Sequence, residues 1–392
     1  MKRARFLLFS NEAVGLGHLK RALAIAARLA RTDPGATSLI VTGSPVHALF
    51  EPPPRVEVMT LPTLERDESG AYRSRRLAVE ARDLGRLRGS IARAAALAFE
   101  PDCVVVDRLP LGLDGELAPA LEALRGSACK LVLGLRDIEN DPLEVRRTWG
   151  PDLQAAILRF YDLVLVYGPP APALDAIDCL EWDAHNLSVP VHHVGYVGGG
   201  APLGEPDDLP DGYVLATVGG GSDGFAVLAT FLEALRLEPL PCPALVVTGP
   251  LMSREEIERL EELAAGVAVQ IQRFRPNLET LIARARAVVC MAGYNTVAEV
   301  MRARRPALLV PRVSPISEQL VRALELGRRG LQDVLHPSEL SAPTMRTALD
   351  RLLARPLLPF EDEDYLGAER AADLLTGLVG TNGSRPDQRP AA

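Results

Sequence analysis

The chain has 392 residues, 47% hydrophobic and 24% charged, which is enough for two domains with cores of their own. Glycine and proline, 32 of each, are spread along the sequence, so neither wholesale disorder nor a disulfide-stapled miniprotein fits. A formal net charge of −8 excludes a chain that binds nucleic acid over most of its surface.

The first apolar run, residues 6–9, leads into Gly15-Leu16-Gly17-His18 and then into a helical pattern over residues 19–30. Further runs follow at 38–41, 104–106, 131–135 and 163–166, continuous in the way of strands buried on both faces. Between them lies a basic stretch with Arg73, Arg75, Arg76, Arg82, Arg86, Arg88 and Arg93. It reads as a solvated helix face, or as a surface for an anionic acceptor or a membrane. The rhythm breaks at residues 195–206, rich in glycine and proline, followed by Asp207, Asp208 and Asp211. A second set of strands follows at 213–218, 244–247, 267–271, 287–290 and 307–310, alternating with helical patterns at 225–235, 254–265, 278–284, 296–303 and 318–326. The alternation predicts an α/β protein of two Rossmann-like domains facing each other across a cleft. Its predicted parts are residues 1–196, a linker at 197–211, a second domain at 212–356, a helical segment at 357–379 and a disordered tail at 380–392.

Cys103, Cys129, Cys179, Cys242 and Cys290 are odd in number and far apart, and they read as buried thiols in a reducing compartment. No apolar run reaches the ~18 residues of a membrane span, so the expectation is a cytoplasmic protein without a transmembrane segment.

Ligands of open α/β sheets bind beyond the carboxyl ends of the strands, where helix N-termini present free N–H groups. Both glycine turns fall there. Neither is Gly-x-Gly-x-x-Gly, since Lys20 stands in place of the third glycine of the first, and there is no P-loop lysine in the second. Gly219-Gly220-Gly221-Ser222 suits a diphosphate, because the glycines allow close backbone approach and Ser222 adds a hydroxyl. It would also serve as a tight turn needing glycine for geometry alone. His18, at a helix start, is the candidate general base, or else a structural histidine.

The block from Phe274-Arg275-Pro276-Asn277-Leu278 through Ala292-Gly293-Tyr294-Asn295-Thr296-Val297-Ala298-Glu299 to Glu318-Gln319 resembles the donor half of nucleotide-sugar glycosyltransferases of the GT-B fold. With Gly15-Leu16-Gly17-His18 and Leu135-Arg136-Asp137-Ile138, the chain to about residue 378 is similar to the MurG-like glycosyltransferases. The resemblance implies that Glu299 takes the ribose hydroxyls, that the backbone at Phe274 and Arg275 reads the base, and that Glu318 and Gln319 meet the donor sugar. Gly293, Asn295 and Thr296 would meet the diphosphate or ribose. Thr296-x-x-Glu299 is also a capping box, the competing structural reading. On the acceptor side the resemblance thins to Gly15, Gly17 and His18, to which Asp107, Arg136 and Asp137 are added as candidate lining. Arg136 and Asp137 could equally form a structural ion pair.

The implied reaction is an inverting displacement in which His18 deprotonates an acceptor hydroxyl and a nucleoside diphosphate, UDP favoured, leaves toward residues 219–222. It needs no cofactor beyond the nucleotide sugar as co-substrate and no metal, since fixed N–H groups and a helix dipole would meet the charge on the leaving phosphate. The partners expected are that donor and an unidentified hydroxyl acceptor, with peripheral membrane contact and no nucleic acid. A nucleotide-sugar hydrolase or epimerase on the same scaffold, or a silent nucleotide-sugar-binding protein, are the alternatives.

Overall fold

The structure is a computed structural model and describes residues 3–11, 15–66, 72–171, 174–179, 188–198, 211–358 and 362–380. Residues 199–210 of the expected linker and 381–392 of the expected tail lie outside them.

Each half is built on a parallel sheet. In the first, the strands run in the order Val56–Thr60, Thr37–Thr42, Arg5–Ser10, Cys103–Asp107, Lys130–Arg136, Leu163–Tyr167, Val191–His193. In the second, the order is Val269–Gln272, Ala244–Val247, Val214–Thr217, Ala287–Cys290, Ala307–Leu309, Asp333–Val334. Every pair in both sheets is parallel. Cys103–Asp107 and Leu163–Tyr167 are buried at all positions, as their unbroken apolar sequences require when helices cover both faces.

The order within each sheet reverses at its first strand, which is flanked by the second strand on one side and by a later one on the other. The connections leave such a point in opposite directions and open a crevice at the carboxyl ends. In the first half the point lies between Arg5–Ser10 and Cys103–Asp107; in the second, between Val214–Thr217 and Ala287–Cys290.

Helix Gly17–Thr32 buries Leu19, Ala22, Ile25, Ala26 and Leu29, an apolar stripe at three- and four-residue spacing. The last helix, Gly367–Gly380, crosses back from the second half and packs on it through Ala368, Ala371, Ala372 and Leu375. Arg28 and Glu369 pair across that contact at 2.6 Å. The last described helix therefore lies on the first domain.

The basic stretch falls on the hairpin Leu64–Arg66 and Tyr72–Ser74, the segment after it, and helix Ala81–Phe99. Arg88 is not part of a solvated face. It is buried and grips Glu116 with two hydrogen bonds, at 2.6 and 2.9 Å. Arg73, Arg75, Arg76, Arg82, Arg86 and Arg93 are exposed.

Candidate active site

Between the two sheets lies a cavity of about 780 Å³, lined from one half by residues that include Gly15, Gly17, His18 and Arg136. From the other half it is lined by Gly219, Gly220, Ser222, Phe274, Arg275, Gly293, Asn295, Thr296, Glu318 and Gln319. Most of the predicted site thus converges from both halves, although the turn at Gly15 and the turn at Gly219 lie 204 residues apart in the sequence.

His18 and Asp107 meet because the strands that deliver them are neighbours. Phe9 pairs with Val106, so the turn after the first strand and the end of the next lie side by side. His18 Nδ1 lies 2.9 Å from Asp107 Oδ2. Arg21, one turn along the helix, donates from Nη2 to the same oxygen at 2.8 Å. Burial by itself would raise the Asp107 carboxyl, but Arg21 and His18 outweigh it and hold the group below its ordinary value. Asp107 does not line the cavity, so its expected role on the acceptor side is corrected: it lies behind His18 and holds the ring.

In the other half, residues 219–222 link strand Val214–Thr217 to helix Phe225–Leu237. Gly219 and Gly221 have φ of +64° and +92°, values that favour glycine. Gly221 does not face the cavity. A Cβ there would stand 2.3 Å from the carbonyl oxygen of Thr248, so this glycine serves the turn, while Gly220 and Ser222 face the space.

The competing capping box is not formed. Helix Tyr294–Arg302 starts at Gly293, without a side-chain cap, which places Thr296 inside the first turn. Asn295 reaches across the cleft instead and donates from Nδ2 to the carbonyl of Gly17 at 3.1 Å. Glu299 is buried and does not line the cavity. Its Oε1 accepts from Lys20 Nζ at 2.5 Å, whereas Oε2 is buried without a hydrogen-bond partner. Burial opposes the Lys20 ammonium, but Glu299 overrides it and raises the lysine above its ordinary value. Glu279, near the same pair, is pushed up to about 7 by burial and by the charge of Glu299, against Lys20 and Arg302.

Asp137 likewise leaves the acceptor side. Its two oxygens take Arg322 Nη2 at 2.7 Å and Nε at 2.8 Å, a buried pair that joins the halves. The ion pair anticipated between Arg136 and Asp137 is replaced by two others. Arg136 Nη2 donates to Glu139 at 2.9 Å, and its Nη1 lies 3.7 Å from Glu318. Glu318 also takes Arg312 at 2.9 Å, and Gln319 Oε1 accepts the backbone N–H of Arg312 at 3.1 Å. At the mouth, Phe50 meets Phe274 edge-on at 5.7 Å.

Lys20, Arg21 and Tyr294 in the lining, and Arg322 behind it, are among the charged or polar residues that the sequence reading missed. Arg21 carried a signal, since a charge on the apolar stripe of a helix requires a buried partner. Among the described residues, no group of three or more His, Cys, Asp or Glu is placed to hold a metal ion, and no helix is long and apolar enough to cross a membrane. The five cysteines form no disulfide.

Residues 215–376 match the glycosyltransferase family 28 C-terminal domain. An uncharacterised glycosyltransferase of Methanopyrus kandleri is 29% identical over 45% of this chain and 47% of its own length. The UDP-N-acetylglucosamine–N-acetylmuramyl-(pentapeptide) pyrophosphoryl-undecaprenol N-acetylglucosamine transferase of Alkalilimnicola ehrlichii is 32% identical over 36% of this chain and 40% of its own length. The chain therefore matches less than half the length of either relative. In three dimensions the likeness extends over nearly the whole chain. A calicheamicin glycosyltransferase superposes with a TM-score of 0.63 at 20% identity, covering 98% of this chain and 100% of its own. MurG of Acinetobacter baumannii does so with a TM-score of 0.56 at 18% identity, covering 97% and 100%. The fold is the GT-B fold of the MurG-like glycosyltransferases.

Proposed function

We propose that this chain is a metal-independent, inverting glycosyltransferase that moves a sugar from a nucleoside-diphosphate sugar, with UDP favoured, to an acceptor hydroxyl. The observation that carries this is His18, backed by Asp107, on one wall of a cavity whose opposite wall is formed by the glycine turn at residues 219–222. His18 takes the acceptor proton, the hydroxyl oxygen attacks the anomeric carbon, and the bond from that carbon to the diphosphate breaks. Because attack and departure occur on opposite faces, the configuration inverts. Negative charge gathering on the leaving diphosphate meets the N–H groups of the turn, the Ser222 hydroxyl and the start of helix Phe225–Leu237. Fixed dipoles of this kind do not reorganise during the reaction, so they can meet the charge without a metal. The family 28 likeness of residues 215–376 supports UDP as the nucleotide, with Phe274 and Arg275 beside the base and Glu318 and Gln319 beside the sugar. Glu299 Oε1 is engaged by Lys20, so Oε2, buried without a hydrogen-bond partner, is the oxygen left to meet the ribose.

Calorimetry and thermal melts with UDP, dTDP and GDP, without divalent metal, test the donor site. A nucleotide at a hundred times its dissociation constant stabilises the fold by about 2.7 kcal/mol. Stabilisation by none of them overturns the reading. In His18→Ala, turnover should fall by about a hundredfold or more with nucleotide binding retained, and an unchanged rate removes His18 as the base.

We also place the protein on the cytoplasmic face of a membrane. Exposed Leu77, Val79 and Leu87 lie among exposed Arg75, Arg76, Arg82 and Arg86, and Arg75 reaches the rim of the cavity. A surface that pairs apolar side chains with arginines suits anionic lipid headgroups and opens onto the acceptor side of the cleft.

A further inference from the structure

His18, Asp107 and Arg21 form a closed triangle. Arg21 Nη2 is 2.8 Å from Asp107 Oδ2 and 2.9 Å from His18 Nδ1, and His18 Nδ1 is 2.9 Å from the same Asp107 oxygen. A guanidinium has hydrogens to give and no lone pair to receive one, and a carboxylate only receives. Nδ1 can therefore be satisfied in two ways, by giving a proton to Asp107 or by taking one from Arg21. With the proton on Nε2, the lone pairs of Nδ1 and Oδ2 would face each other at 2.9 Å. With the proton on Nδ1, both His18 and Arg21 donate to the carboxylate, and the lone pair of the ring is on Nε2.

The charges favour the second arrangement. Asp107 and Arg21 are both buried, and together they are neutral. A buried carboxylate lacking Arg21 would draw its compensating charge from the nearest group able to protonate, and that group is His18. Among the described residues, the other groups around the triangle do not take over this role. Arg136, at the end of the neighbouring strand, is engaged by Glu139, and Tyr167 and Tyr294 are tyrosines held above their ordinary values by burial. Arg21 is itself clamped between aromatic rings from both halves, Tyr167 at 6.0 Å and Tyr294 at 5.0 Å, and the Tyr294 hydroxyl accepts the backbone N–H of Val197 at 2.8 Å. A guanidinium over a ring face gains attraction without using a hydrogen bond, which leaves Nη2 for Asp107.

We propose that Arg21 is a positioning residue for His18: by supplying the positive charge that Asp107 requires, it leaves the imidazole neutral, with its proton on Nδ1 and its lone pair on Nε2. The proposal gives the base of the preceding section its protonation state, and it rests on that reading for its catalytic meaning. It adds that the donor half takes part in setting up the base, because Tyr294 is the first residue of that half's helix Tyr294–Arg302.

The test needs no substrate. The full-length chain, labelled with nitrogen-15, is examined by long-range proton–nitrogen correlation of the imidazole rings near neutral pH, with His18 assigned by the signal lost in His18→Gln. The wild type should show a neutral ring protonated at Nδ1, the less common tautomer of free histidine. Arg21→Gln should lose that pattern and show an imidazolium, and Arg21→Lys, which restores a cation, should recover the neutral ring. A wild-type ring that is charged or protonated at Nε2 overturns the proposal, as does a neutral, Nδ1-protonated ring in Arg21→Gln. Should Arg21→Gln fail to fold, the wild-type tautomer still decides. Nucleotide melts separate the two readings, since a chain with the expected tautomer but no response to any nucleoside diphosphate overturns the transferase reading alone.

Discussion

Glu279 and Glu299 share one lysine, and two carboxylates beside a single ammonium cannot both ionise without cost. Glu299 keeps the direct bond to Lys20, and Glu279 is the member pushed up to about 7. The sign for stability follows from the two pKa values, about 7 in the folded chain against an ordinary 4.5. Between them the folded chain holds a proton that the unfolded chain has released. Stability from this group is therefore fully present below the ordinary value and is lost as pH rises through about 7. Glu279→Gln removes that dependence. Thermal melts should show the variant gaining on the wild type as pH rises from about 5 to about 8, and a constant difference across the range would refute the assignment. None of this was legible in the sequence, because Lys20 and Glu299 are brought together only by the docking of the halves. The visible trace was a lysine where a dinucleotide turn would have its third glycine.

Among the elements, the two glycines at the centre of the donor turn separate geometry from binding. At Gly221 a Cβ would meet the Thr248 carbonyl oxygen at 2.3 Å with φ at +92°, so Gly221→Ala should cost about 1–3 kcal/mol of stability, read from urea unfolding. At Gly220 a Cβ would meet only Leu251 Cδ1, at 3.5 Å, an ordinary contact. Gly220→Val should therefore keep its melting temperature without ligand and lose the shift produced by UDP. Equal effects of the two substitutions would mean that the turn is structural alone. The basic hairpin-and-helix region carries its own prediction. The protein should sediment with vesicles containing phosphatidylglycerol and not with purely zwitterionic ones, and Arg82→Glu with Arg86→Glu should release it; binding that ignores vesicle charge would count against the surface.

The elements also show where sequence pattern stops informing. Fully buried strands such as Cys103–Asp107 announce themselves as unbroken apolar runs, and helix Gly17–Thr32 through its stripe. The edge strands Val56–Thr60, Val191–His193 and Asp333–Val334 are half exposed or very short, and their residues lack either pattern. Helix Tyr294–Arg302 begins before the capping signature suggests, because Tyr294 is drawn into the core of the first half and starts the helix there.

At the scale of the whole molecule, the halves are joined by polar contacts that cross the cleft: Asp137 to Arg322, Lys20 to Glu299, Asn295 to Gly17, and Asn140 Oδ1 accepting from both the backbone N–H and the hydroxyl of Ser317 at 3.0 Å. Of these, the Asp137 pair is the one buried on both sides, with side-chain exposures of 1% for Arg322 and 3% for Asp137. Arg322 Nη1 also donates to the carbonyl of Ala292 at 2.9 Å, directly before the Gly293 turn, so this arginine ties the donor helix to the strand end of the other half. Removing one partner of a buried pair leaves a charge without compensation, which costs about 3–5 kcal/mol, while replacing both with apolar groups is often neutral. Asp137→Ala should accordingly be strongly destabilised in urea, and Asp137→Leu combined with Arg322→Met should recover most of the loss. A single variant as stable as the wild type would mean that the pair is solvated and the halves are not held at this point. A double variant that regains stability but responds more weakly to UDP would assign the pair to holding the Gly293 turn against the opposite wall, beyond its part in the fold.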